Sequence, residues 1–163
     1  MSKAGFYRLT AVMLFLVFGA ADAAAQTKGL VKISAVRAQL FYEDKGTFSK
    51  DIFSDKNFDL WNTGAGEGSA EGPSKATLVT VEVSGGNASP DNLKLEIAAT
   101  GKANRVIQKK VFDVFIYQEV FKFYAAVWVA DTPCEPVKIT AKLVGKGAAV
   151  APVVKTIAFA CGE

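Results

Sequence analysis

Two-residue alternation of apolar and polar side chains constrains this chain more than any other feature. Leu93, Leu95 and Ile97 alternate with Lys94 and Glu96, and Val137, Ile139, Ala141 and Leu143 alternate with Lys138, Thr140 and Lys142. Val79, Val81 and Val83 share one face of Ala76–Ser84, and Val153, Ile157 and Phe159 alternate around Thr156 and Ala158. Successive side chains of a strand point to opposite faces, so this pattern specifies half-buried strands and excludes helix over the same stretches. Leu30–Tyr42 is rich in β-branched and aromatic residues and reads as a strand, its imperfect alternation marking a bulge or a partial helix. Arg105–Tyr117 and Val120–Ala130 give two or three more strands with a tight connection at Gln118-Glu119. Phe121, Phe123, Ala125, Val127 and Val129 share a face there, with Tyr124 and Trp128 on the other. The aromatic density of this region predicts the centre of the core.

Turn chemistry separates these runs, at Gly85-Gly86-Asn87, Ser89-Pro90-Asp91-Asn92, Gly101–Asn104 and Gly145-Lys146-Gly147. No amphipathic helix of useful length interrupts them. The fold expected is all-β, an antiparallel β-sandwich of about seven or eight strands. Its layout resembles immunoglobulin-like sandwiches in general architecture, without the Cys…Trp…Cys pattern of true immunoglobulin domains.

The N-terminus reads separately. Lys3 and Arg8 precede an apolar run, Leu9–Ala20, and small residues follow through Ala25. That is the layout of a secretory signal peptide over residues 1–25, cleaved after Ala23 or Ala25. A run of roughly 12 residues is too short for the roughly 20 that span a bilayer, so no transmembrane segment is expected in the mature chain. Gln26–Gly29 then makes a flexible start to a single domain, residues 26–163. The whole chain carries a net charge of +3, and losing Lys3, Arg8 and Asp22 with the leader leaves it near neutral. Its interspersed charges form no basic stripe, which argues against nucleic acid as a partner.

Cys134 and Cys161 are the only cysteines, and in an exported chain an even pair without C-x-x-C spacing reads as a structural disulfide. Apolar positions 137, 139, 157 and 159 are all odd, so opposed residues of the last hairpin should sum to an even number. Cys134 and Cys161 do not, which predicts a bulge or kink near Pro133-Cys134-Glu135-Pro136.

Absent residue types exclude whole chemistries. The chain has no histidine, and both methionines, Met1 and Met13, lie in the leader. Ser-His-Asp and Cys-His catalysis, His-ligated zinc and His/Met copper sites are therefore out.

Residues 43–75 form a long irregular excursion. Asp51, Asp55 and Asp59 recur at four-residue intervals among Phe48, Phe53, Phe58 and Trp61. They read as one face of a short helix, as calcium ligands, or as a solvated acidic face interleaved with Lys45, Lys50 and Lys56. The phenylalanines should plug the excursion onto the sandwich edge. Asn62–Ser74 is glycine-rich and reads either as a linker or as an ordered recognition loop. In the second case Trp61, Asn62, Thr63, Glu67 and Glu71 are the candidate ligand- or partner-binding residues. A phosphate cradle is disfavoured, because no Gly-Lys-Ser/Thr follows and the glutamates repel phosphate. Asn87-Ala88-Ser89 matches the glycosylation sequon, with Pro90 directly after it.

No catalytic residues are expected. The leading expectation is an exported, non-enzymatic β-sandwich binding or protein-interaction module of the periplasm or cell envelope, or a secreted one, with an envelope or extracellular protein as partner and no cofactor. The alternative is a calcium- or carbohydrate-binding module using the acidic 51–71 segment. A carboxylate-based hydrolase and a pilus subunit completed by a donated strand are more distant readings. N-terminal sequencing of exported material should begin at Ala24 or Gln26; a retained Met1 would overturn the leader.

Overall fold

The computed structural model describes residues 31–85, 92–117, 121–130, 134–145 and 151–162. The leader, Gln26–Gly29, Asn87 with its sequon, the turn residues 86–91, 118–119 and 146–147, and Pro133 lie outside them. Two antiparallel four-stranded sheets face one another. The chain runs β1 (Lys32–Tyr42), β2 (Thr47–Phe48), β3 (Ala76–Ser84), β4 (Lys94–Thr100), β5 (Val106–Asp113), β6 (Lys122–Ala130), β7 (Val137–Val144) and β8 (Val153–Ile157). The first sheet has the order β2-β1-β3-β6 and the second β5-β4-β7-β8. The chain leaves the first sheet after β3, returns for β6 and crosses back for β7, as in immunoglobulin-like sandwiches.

The alternation read from the sequence lines the space between the sheets. Val79, Val81, Val83, Leu95, Ile97, Val137, Ile139 and Ile157 are fully enclosed. Side chains of this size contribute roughly 1.5–3 kcal/mol each on complete burial, so this layer dominates the favourable energy of the fold. β1 changes face partway along its length. Ile33 pairs with Val83 and Ala35 with Glu82, leaving Ser34 as the extra residue of a bulge. Before the bulge Val31 and Ile33 point inward; after it Val36, Ala38, Leu40 and Tyr42 do. The imperfect alternation is this bulge.

The aromatic residues depart from expectation. The inner face of β6 is Phe123, Ala125, Val127 and Val129, whereas Tyr124 and Trp128 stand on the outer face and Phe115 and Tyr117 are exposed. Phe121 precedes the strand with φ of 52°, and this left-handed turn takes it off the inward face. The core is aliphatic, and its large rings are Tyr42 and Phe159.

The last hairpin has the even-sum register, with Val137 opposite Ile157 and Ala141 opposite Val153. Cys134 and Cys161 are bonded, with Cα atoms 5.0 Å apart. No bulge interrupts β7 or β8. The one-residue offset is absorbed beyond the ladder, because Ala160 leaves β7 and forms a parallel bridge with Trp61. The sulfurs thus tie the start of β7 to a segment already bonded to the 43–75 excursion. Replacing both cysteines by alanine should lower the unfolding free energy by about 3–4 kcal/mol for this separation of 27 residues, read from the denaturant midpoint.

Candidate functional site

The 43–75 excursion is an ordered part of the sandwich. Ile52 and Leu60 are buried in the core, with Phe53 and Phe58 packed against it. Burying each aliphatic side chain contributes roughly 1.5–3 kcal/mol, enough to hold the segment down. The three aspartates form no helix. Each folds its carboxylate back on the backbone two residues ahead: Asp51 Oδ1 accepts from Phe53 N–H (3.2 Å), Asp55 Oδ1 from Asn57 N–H (2.9 Å) and Asp59 Oδ1 from Trp61 N–H (3.1 Å). Side-chain turns of this kind are what aspartate supplies in irregular chain. Asp51 Oδ1 also accepts from Ala38 N–H (2.9 Å), and Ser49 Oγ from Leu40 N–H (2.9 Å), so two side chains occupy the free edge of β1. Among the described residues, no group of three or more carboxylates or thiols is placed to hold a metal ion.

The residues expected to present polar groups outward are largely engaged inside the loop. Asn62 sits in the left-handed region; its Nδ2 donates to Glu67 (2.8 Å), and its Oδ1 accepts from Gly162 N–H (3.0 Å). Thr63 is buried, and its carbonyl accepts from Ser74 N–H (2.9 Å). Glu71 is exposed, and its carbonyl accepts from the Lys45 ammonium. Trp61 is half-exposed, its ring lying so close to Gly162 that a Cβ there would come within 2.8 Å. At Gly68, with φ of 68°, an added Cβ would come within 2.8 Å of the Asp59 carbonyl oxygen, so only glycine fits there without strain. The glycine-rich stretch is therefore close-packed turn structure.

A different surface remains open: the outer face of the first sheet. The register aligns Phe41 with Phe48 and Ala76, and Gln39 with Leu78, itself opposite Trp128. Phe41, Phe48 and Trp128 meet there, with ring centroids 5.2, 5.6 and 5.9 Å apart. Phe48 and Trp128 each keep 43% of their surface in solvent. The two rows nearest the rings, Phe41-Ala76-Ala130 and Gln39-Leu78-Trp128, carry no charged side chain. The outer face of the second sheet is the opposite case, laced by the pairs Lys94–Asp113 (2.6 Å) and Glu96–Lys109 (2.9 Å).

The other end of the first sheet's outer face is ionic. Glu82 is only 8% exposed. It accepts from Ser34 Oγ (2.9 Å) and pairs with Lys122 (3.1 Å) and, more loosely, Arg37 (3.7 Å). The Lys122 ammonium first, and then the Ser34 hydroxyl, hold the Glu82 carboxyl below the usual glutamate range despite burial. The bulge in β1 is what aims Ser34 at it.

Two clefts lie elsewhere. One of about 270 Å³ sits beside the β1 bulge, between Arg37, Asp51, Phe53 and Lys155. The other, about 590 Å³, is lined by Lys102, Asn104, Cys134, Glu135 and Lys138 next to the disulfide. Glu135 on its wall pairs with Arg105 (2.5 Å), whose guanidinium holds the Glu135 carboxyl below the usual glutamate range.

Comparison with known proteins gives little. No family model and no curated protein matches this chain. Among solved structures, a β-glucuronidase from Bifidobacterium dentium complexed with coumarin-3-O-glucuronide is similar with a TM-score of 0.41 and 11% identity, over 79% of this chain and 18% of that one. A putative β-galactosidase from Bacteroides fragilis is similar with a TM-score of 0.39 and 12% identity, over 52% and 14%. The chain thus spans less than a fifth of either, and a likeness this faint carries no functional argument.

The Glu82 network makes a pH prediction. A carboxyl held below its ordinary value of 4.5 stabilises the fold fully above that value, and the contribution disappears as pH falls through the lower folded-state value. Stability should therefore drop on acidification below pH 4.5. Glu82→Gln, less stable at neutral pH because Lys122 loses its partner, should flatten that acid limb in denaturant titrations at successive pH values.

Proposed function

We propose that this chain works outside the cytosol as a non-enzymatic binding module of the periplasm or cell envelope, and that it binds through the outer face of its β2-β1-β3-β6 sheet. The reading rests on one observation, the cluster of Phe41, Phe48 and Trp128 left half in water on an uncharged part of that face. Holding large rings in solvent costs stability that burial would return, and a cluster of exposed rings in mutual contact is a mark of binding. The Cys134–Cys161 bridge supports an oxidising compartment. Among the described residues no helix is long and apolar enough to cross a membrane. The non-enzymatic reading is supported by the absence of histidine from the chain and by the use of the excursion's aspartates as turn-formers.

The alternative that uses the acidic 51–71 segment has less in its favour, since Asp51, Asp55, Asp59 and Glu67 all accept hydrogen bonds from the chain itself. The test is retention of the purified chain on envelope material. The double variant Phe48→Ala/Trp128→Ala should lose most of its retention while keeping the wild-type circular dichroism spectrum. Full retention by that folded variant would overturn the reading.

A further inference from the structure

We infer that the ligand of this face is an uncharged oligosaccharide of several pyranose units, laid along β6 from Trp128 to Tyr124; the inference rests on the binding reading above. Trp128 and Tyr124 project from the same outer face of β6, four residues apart, which places them about 13 Å from one another. Between them the face carries Ala126, and beside it Thr80 and Arg37 in the same cross-strand row. The result is a strip with a ring at each end, a small side chain in the middle and hydrogen-bonding groups along one side, its Tyr124 end directly opposite Glu82.

The chemistry of that strip selects among partners. The C–H groups on one face of a pyranose carry slight positive charge, and the face of an aromatic ring carries slight negative charge, so the two stack. Sugar hydroxyls then need donors and acceptors at the margin. Gln39, Thr80 and the half-exposed Arg37 guanidinium lie there, Arg37 only loosely held at 3.7 Å from Glu82. A folded protein partner would have to draw most of its contact from beyond these rings, since Phe48, Trp128 and Tyr124 together present roughly 200–350 Å², against about 800 Å² per partner in a stable protein interface. A strongly anionic ligand would find Lys32, Arg37 and Lys122 on this sheet, but the last two are already paired with Glu82 and none of the three stands in the rows that carry Phe41 and Trp128.

Defined neutral probes test the inference. Cellohexaose and hexa-N-acetylchitohexaose are titrated into the purified chain by calorimetry, and into a Trp61→Phe variant in which Trp128 is the sole tryptophan reporter. At least one hexaose should give saturable binding and a blue shift of Trp128 emission. Trp128→Ala should weaken it at least about tenfold, and Tyr124→Ala and Thr80→Ala by smaller factors, while Trp128→Phe retains part of the affinity. In parallel, envelope material is treated with periodate or with protease before the retention assay. Loss after periodate but not after protease, dependent on Trp128, supports the inference. Loss after protease alone, still dependent on Trp128, overturns the oligosaccharide and leaves the binding face standing. Failure of every hexaose to bind at millimolar concentration overturns the inference, and retention independent of Trp128 overturns both readings.

Discussion

Removal of alternating valine, isoleucine and leucine side chains from water, on two sheets that face one another, is the constraint to which the rest of this molecule answers. It fixes the parity of every strand. Once Val127 and Val129 point inward, Trp128 has to point outward, and once Leu40 and Tyr42 are enclosed, Phe41 has to face solvent. The aromatic cluster is therefore a by-product of core parity in position, although its chemistry is not. Alanine, threonine or lysine at those places would satisfy the same core, as Lys94, Glu96 and Lys109 do on the opposite sheet.

The second organising element is the junction where three distant stretches meet. Leu60 accepts from Ala160 N–H, Asn62 N–H donates to the Ala160 carbonyl, and Asn62 Oδ1 receives Gly162 N–H. Cys161 lies between those two contacts and carries the bond to Cys134. Closure of the long excursion, the end of the chain and the entry to β7 is thus one event. Each hydrogen bond contributes about 1 kcal/mol and the bridge a few more, so the junction holds by summation.

Much of the fold could be read from residue order. Alternation placed β3, β4, β7 and β8, and parity arithmetic anticipated an even-sum register, which the pair Val137 and Ile157 obeys. The offset of the two cysteines was legible too, but not its resolution: it depended on Ala160 pairing with Trp61, a contact between residues far apart in sequence. The excursion was legible in part, since Phe53 and Phe58 pack on the sandwich as expected. Asp51, Asp55 and Asp59 were weighed by their spacing, whereas the informative fact was what each finds two residues ahead, an amide free to be capped. Crowding of rings in 112–128 was read as core, although parity alone put Tyr124 and Trp128 outside. The meeting of Phe41 and Phe48 with Trp128 was beyond reach, because it requires the pairing of β1 with β3 and of β3 with β6.

The rim of the first sheet has a consequence of its own. Where β1 runs past the short β2, Ser49 Oγ and Asp51 Oδ1 take the amide protons of Leu40 and Ala38 that a neighbouring strand would have taken. The backbone of the same segment fills the carbonyl half of the edge, Ser49 N–H donating to Leu40 (2.9 Å) and Ile52 N–H to Ala38 (2.8 Å). A foreign segment arriving at those two residues meets occupied amides, occupied carbonyls and a negative charge, so lateral recruitment of further copies, the first step towards fibrils, is blocked there.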